Sequence, residues 1–207
     1  MDSKYEIGQE YQKALDVLNG ILKSYRYRHY GVGWRNRRRI KRLVPIFENY
    51  ANQNIDREEV IYSLAKSHEL LARHSIALEY YKKLCELDSD NPNYLIECST
   101  QFIACDLVEK AEHYAERAYA LAEVEVSIVQ RYAGLMIVLA KDDKARKAIE
   151  AALEFDASDN YSKAIYTILD RLEKNKIYRP DLAEILNVWH INNYLSDNAN
   201  VTIGMGE

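Results

Sequence analysis

Cys98 and Cys105 are the cysteines best placed to act together, seven residues apart in a segment patterned as one helix. Helical rise separates their Cα atoms by about 10 Å. A single zinc needs thiolates at about 2.3 Å from the metal, so the spacing points to small buried hydrophobes rather than ligands. The histidines His29, His68, His74, His113 and His190 are scattered, and the chain contains no HExxH, GxSxG or Walker A motif. Carboxylates such as Glu109, Glu112, Asp142 and Asp143 follow helix faces instead of converging. Gly31-Val32-Gly33 followed by Asn36 has the front of a glycine-rich phosphate loop. That loop needs a strand before it and a third glycine. Here a helical pattern precedes and Asn36 takes the last position, so an interhelical turn is expected. No catalytic residue, no metal and no cofactor is expected, and the chain is not expected to be an enzyme.

Binding chemistry is better represented. Arg26, Arg28, Arg35, Arg37, Arg38, Arg39, Lys41 and Arg42 fall within 17 residues, interleaved with Tyr25, Tyr27, Tyr30 and Trp34. Such a segment suits a structural or protein-docking role. It also suits an anionic membrane, where each cation near the surface contributes about 1 kcal/mol, or a nucleic acid, whose phosphates and bases match arginine and aromatics. The first 50 residues carry 11 Lys and Arg against 5 Asp and Glu, and the remaining 157 carry 17 against 27. An acidic body repels a long polyanion. A plain structural or protein-docking role therefore ranks first, an anionic membrane surface second, and nucleic acid last.

The elements that must position these residues are helical. A chain of 207 residues suits one domain or one elongated repeat array. Seven glycines and three prolines are too few for an all-β chain with its many turns. Three cysteines without paired spacing fit a reducing compartment. The amino terminus lacks a signal-peptide pattern. The longest apolar run, Leu135–Ala140, falls far short of the roughly 20 residues that cross a bilayer. A cytoplasmic location follows as the expectation.

Apolar spacing predicts a helix over Tyr5–Arg28, with Ile7, Tyr11, Leu15, Leu18, Leu22 and Tyr25 on one face, and a second over Trp34–Ala51. Pro45 is expected to kink that second helix or start a new one. Asp56, with Glu59 three residues on, offers an N-cap. Near the carboxyl end, helices are predicted over Tyr161–Lys174 and Asp181–Leu195, the latter with Pro180 in its first turn and Leu182, Ile185, Leu186 and Trp189 as its apolar face.

Between these ends the chain repeats. Residues 58–91, 92–125 and 126–159 align without insertion. Ala77, Ala111 and Ala145 share one column, and Ala65, Ser99 and Ala133 another. Ile61, Leu95 and Val129 align, as do Leu64, Cys98 and Tyr132, Leu84, Ala118 and Ala152, and Leu87, Leu121 and Phe155. Small residues at a fixed interval let two helices cross closely, and larger ones a turn away fill the ridges. Each block reads as two helices with breaks near Arg73-His74, near Asp106 and at Lys141-Asp142-Asp143. One such block cannot bury its own face, so the blocks must stack.

These columns resemble tetratricopeptide repeats. The family's second-helix aromatic is met by Tyr81 but replaced by Ala115 and Ile149, and Ser89, Glu123 and Ala157 stand where it has proline. The resemblance implies an all-α fold of about ten helices, an antiparallel helix-pair solenoid with a right-handed superhelix. Residues 1–55 would form a basic helix pair, 56–159 the three repeats, 160–196 capping helices and 197–207 a tail. It further implies a concave groove for a protein or peptide, lined by Tyr62, Lys66, Glu69, Ile96, Thr100, Ile103, Gln130, Arg131, Gly134 and Ile137, unless the end helices fill it. The family's carboxylate clamp is not reproduced: Tyr62, Lys66, Glu97, Ser127 and Arg131 stand at its positions, and Glu97 would repel a carboxylate. The expected function is a non-catalytic protein–protein adaptor or scaffold, or the accessory domain of a larger assembly. The alternative is a membrane-surface or polyanion docking module acting through segment 26–42, for example one accessory to a surface-polysaccharide enzyme.

Overall fold

The structure is a computed structural model that describes residues 2–24, 31–53, 57–122, 125–175 and 177–186. Among these residues every regular element is a helix: α1 (Asp2–Ser24), α2 (Trp34–Asn52), α3 (Arg57–Leu70), α4 (His74–Leu87), α5 (Pro92–Ala104), α6 (Val108–Leu121), α7 (Val126–Val138), α8 (Asp142–Phe155), α9 (Asn160–Glu173) and the single turn α10 (Leu182–Ile185). The fold class is all-α, as its scarcity of glycine and proline implies. No helix among the described residues is long and apolar enough to cross a membrane.

The 34-residue period is physical. The turns joining α3 to α4, α5 to α6 and α7 to α8 each place one residue in the left-handed region: Ala72 (φ 57°), Asp106 (φ 58°) and Ala140 (φ 57°). In each turn the next amide reaches back over the helix end. Arg73 N donates to His68 O at 2.9 Å, Leu107 N to Phe102 O at 2.9 Å, and Lys141 N to Met136 O at 2.8 Å. These bonds satisfy carbonyls that a helix terminus otherwise leaves bare. The breaks therefore fall at residues 71–73, 105–107 and 139–141, and His74, Asp142 and Asp143 already belong to the second helices. Ala77, Ala111 and Ala145 are fully buried, as are Ala65, Ser99 and Ala133. Ser99 Oγ donates to the Ala111 carbonyl at 2.8 Å, tying the two small columns together where α5 and α6 cross.

Two compact units result, Met1–Ser89 and Asp90–Glu207. In the first, Tyr11 of α1 stacks on Tyr50 at 4.7 Å and meets Phe47 edge-on at 5.8 Å, while Leu15, Leu18, Ile40 and Leu64 complete the core. Glu59 accepts from the Tyr11 hydroxyl at 3.1 Å, and its expected capping partner Asp56 lies outside the described residues. Pro45 sits in one continuous α2, on its exposed side, and does not end the helix. In the second unit α5 starts with Asn91 capping Asn93 N at 3.1 Å and Pro92 in its first turn. Asp181, not Pro180, opens α10 through a capping box with Glu184. The predicted continuation to Leu195, including Trp189, lies outside the described residues, as do Tyr25–Arg28 of the first predicted helix. Cys105 caps the end of α5 and is half-buried like Cys85, whereas Cys98 is fully buried.

His68 gives this first unit a pH signature. It is buried in α3, stacked on Tyr80 at 5.6 Å, and its Nδ1 finds no hydrogen-bond partner among the described residues. Burial, assisted by the Arg73 cation, pushes its pKa below the ordinary 6.5. The unfolded chain then binds a proton that the fold refuses. This contribution to stability is complete above about pH 6.5 and is lost as pH falls toward the depressed value. Urea midpoints measured from about pH 7.5 to 5.5 should fall for the wild type and fall less for His68→Phe. Parallel curves would contradict the assignment.

Candidate interaction surfaces

The first-helix faces hold the residues expected to line a groove. On α3, Tyr62, Lys66 and Glu69 follow each other at four and three residues and share one side. Lys66 Nζ lies 3.1 Å from Glu69 Oε2, and the Tyr81 hydroxyl donates to the same oxygen at 2.8 Å. The ammonium sits 5.7 Å from the centre of the Tyr62 ring and 5.6 Å from that of Tyr81. Lys66 is 9% exposed and Glu69 4%. The charges expected to meet a partner are engaged with each other, and of the three residues only Tyr62 remains half-exposed.

The second unit behaves alike. Arg131 donates to Glu97 Oε1 at 3.1 Å and to Thr100 Oγ1 at 3.3 Å, bridging α7 to α5. The arginine that a clamp would offer to a carboxylate is held by the chain's own Glu97. Gln130 donates to Asp159 at 2.7 Å and to Ser162 at 3.1 Å, joining α7 to the start of α9. Ile96, Thr100, Gln130 and Ile137 are buried, while Ile103 and Arg131 stay half-buried. Segment 177–186 lies over α7. A Cβ at Gly134 would stand 3.2 Å from Ile185 Cγ1, so the missing side chain makes room for Ile185. Arg179 donates to the Ile137 carbonyl at 2.8 Å and pairs with Asp142 at 2.5 and 2.8 Å. The Tyr161 hydroxyl donates to Ile185 O at 2.7 Å, and burial drives its pKa well above the ordinary 10. The stretch of face at Gly134 and Ile137 is thus covered from within by an end segment.

The basic segment divides. Arg26 and Arg28 lie outside the described residues. Arg37 belongs to the fold: its Nη2 donates to the Leu71 carbonyl at 3.0 Å, closing the end of α3. Arg35, Arg38, Arg39, Lys41 and Arg42 are exposed on α2, opposite its buried stripe of Ile40, Leu43, Val44, Phe47 and Tyr50. Arg39 reaches Asn36 at 3.5 Å and Arg35 lies 5.6 Å from the Trp34 ring, but none of the five forms an ion pair among the described residues. The first turn of α2 carries no acidic residue. A helix amino end is already positive and favours carboxylates, so this end concentrates charge that nothing described offsets. Trp34, at its start, is 70% exposed.

The apolar column Leu87, Leu121 and Phe155 is exposed in all three repeats. Alignment identifies the column but not its direction, because each residue closes its helix and has no further turn to pack on. Among the described residues no group of three or more His, Cys, Asp or Glu could hold a metal. The arrangement offers charge, aromatic area and shape, which are the means of recognition.

No family model and no curated protein sequence matches the chain. Among solved structures it is similar to the crystal structure of MamA, with a TM-score of 0.57 and 15% sequence identity over 80% of this chain and 90% of MamA. That likeness concerns the fold, and it places the chain among TPR-like helical repeat structures.

Proposed function

We propose that this chain is a non-catalytic protein-interaction module, an adaptor or an accessory domain of a larger assembly, which docks an acidic protein surface through the outward face of α2. The observation that carries the reading is the set of five exposed cations along the first half of α2, which Trp34 begins, with Arg35 in the first turn where the helix dipole disfavours positive charge. Exposed arginine beside an exposed aromatic is the composition of interface cores. The TPR-like fold supports the same reading, since such repeats supply binding faces rather than reaction centres. Tyr62 in the first unit, and Ile103 and Arg131 in the second, are half-exposed on first helices and add contact area, each within its own unit.

A second reading, docking on an anionic bilayer, is favoured by Trp34, since an indole beside a cation suits the headgroup region. The two separate experimentally. Affinity capture from native extract with wild type, Arg38→Glu/Arg42→Glu and Tyr62→Ala, scored by mass spectrometry, should lose its main protein partners in the charge-reversed variant and keep most in Tyr62→Ala. An unchanged partner set in the charge-reversed protein removes the reading. Salt-sensitive flotation with anionic vesicles, lost in the same variant without any loss of protein partners, selects the bilayer instead.

A further inference from the structure

The α2 face has a complement elsewhere on the same chain. Tyr119 of α6, Val126 and Val129 of α7, and Ala152 and Phe155 of α8 line an apolar cleft of about 280 Å³ in the second unit. Phe155 is 66% exposed at its edge. Exposed Glu125 adjoins Val126, and exposed Glu154 and Asp156 flank Phe155. The carboxyl ends of α6 and α8 meet here, and neither carries a basic residue in its last turn. Glu154 in the last turn of α8 and Asp156 at its C-cap add to the local helix dipole, as Arg35 does in the first turn of α2, while Glu125 is the N-cap of α7. Lys144 is engaged by Glu112 and Glu116, and Lys147, two turns before Phe155, is the exposed cation of α8. The sequence asymmetry has the same sense. Residues 1–89 carry 16 Lys and Arg against 12 Asp and Glu, and residues 90–207 carry 12 against 20.

We propose that the acidic partner of α2 is a second copy of this chain, with Trp34 entering the Phe155 cleft and Arg35, Arg38 and Arg42 facing Glu125, Glu154 and Asp156. The proposal rests on the protein-docking reading above and names its occupant. A bilayer would accept the cations but leave the cleft and Phe155 unexplained, whereas one contact between copies accounts for both surfaces. The two surfaces differ, so the contact is heterologous. Each copy that uses its α2 keeps its own cleft open, and association continues into rings or longer chains. Opposite charges held at a solvated rim make it salt-sensitive.

Sedimentation velocity of the full chain, from about 5 to 500 μM and at about 20 and 500 mM salt, reads this directly. The wild type should rise to at least about twice the monomer mass at low salt and return toward monomer at high salt. Trp34→Ala/Arg38→Glu/Arg42→Glu and, separately, Phe155→Glu should each weaken association at least about tenfold. All four positions are exposed, and circular dichroism verifies that the variants fold. Mixed together, the two variants should form a one-to-one dimer that grows no further, since one still has a cleft and the other still has an α2 face. A wild type that stays monomeric throughout, association that either variant leaves intact, or a mixture that stays monomeric overturns the proposal. If the chain is monomeric while Arg38→Glu/Arg42→Glu still loses its captured partners, the docking reading stands with a different acidic protein. If capture is also unchanged, both fall. Anionic vesicles that float wild type and Phe155→Glu equally, with no self-association, make lipid the occupant.

Discussion

Gly31→Ala is expected to cost the amino-terminal unit about 3 kcal/mol or more, read as a fall in its urea midpoint. Gly31 has φ 72°, where an L side chain is already strained. A Cβ there would stand 2.3 Å from the Leu70 carbonyl oxygen and 3.0 Å from Ala72 N, both backbone atoms at the end of α3. The neighbours cannot yield, because that turn is doubly tied to the same strip of chain. Val32 N donates to Leu70 O at 2.9 Å, and Arg37 reaches Leu71 O at 3.0 Å. The bare approach of Gly31 thus lets the connector dock on α3 and sets where α2, with its cations, begins. Gly33 is the control: a Cβ added to it would meet nothing within 4 Å, and its φ of −60° is ordinary. Gly33→Ala should change stability by less than about 1 kcal/mol. Equal effects at the two glycines would contradict the docking.

Lys66→Met should be comparably damaging, by about 3–5 kcal/mol, because it leaves the Glu69 carboxylate buried without its cation. The Tyr81 hydroxyl would remain, one hydrogen bond against a charge taken out of water. Lys66→Met/Glu69→Leu should recover at least half of the loss, since a well-packed apolar pair replaces a buried ion pair at little net cost. Urea denaturation of wild type, the double variant and each single variant completes the cycle. A Lys66→Met protein as stable as wild type would mean that Glu69 is solvated and its face open, as the groove expectation required.

The repeat columns are legible because close helix crossings restrict residue size: Ala77, Ala111 and Ala145 match by type alone, and all three are buried. Residue types locate the intervening turns only approximately. Ala72 and Ala140 occupy left-handed positions that usually advertise themselves as glycine, and the hydrogen bonds that hold them there leave no mark on residue type. Arg37 and Arg38 are indistinguishable in sequence, yet one closes a helix and the other faces water; a difference of about 100° around the helix decides it. Periodicity assigns the groove positions to a face, but whether a face is open depends on what folds over it. Gly134, a lone glycine in an apolar helix, is the available sign that Ile185 comes close. Leu87, Leu121 and Phe155 form one apolar column, and apolar character carries no direction at the last turn of a helix.

Photocrosslinking from position 38 tests the central claim most directly. With a photoreactive side chain in place of Arg38, irradiation of the full chain in native extract should give discrete protein–protein adducts. These should disappear when Arg42→Glu is added, and the same group placed at exposed Lys110 should not produce them. Adducts to lipid or nucleic acid alone, or protein adducts identical from positions 38 and 110, would contradict a protein-docking role for the α2 face.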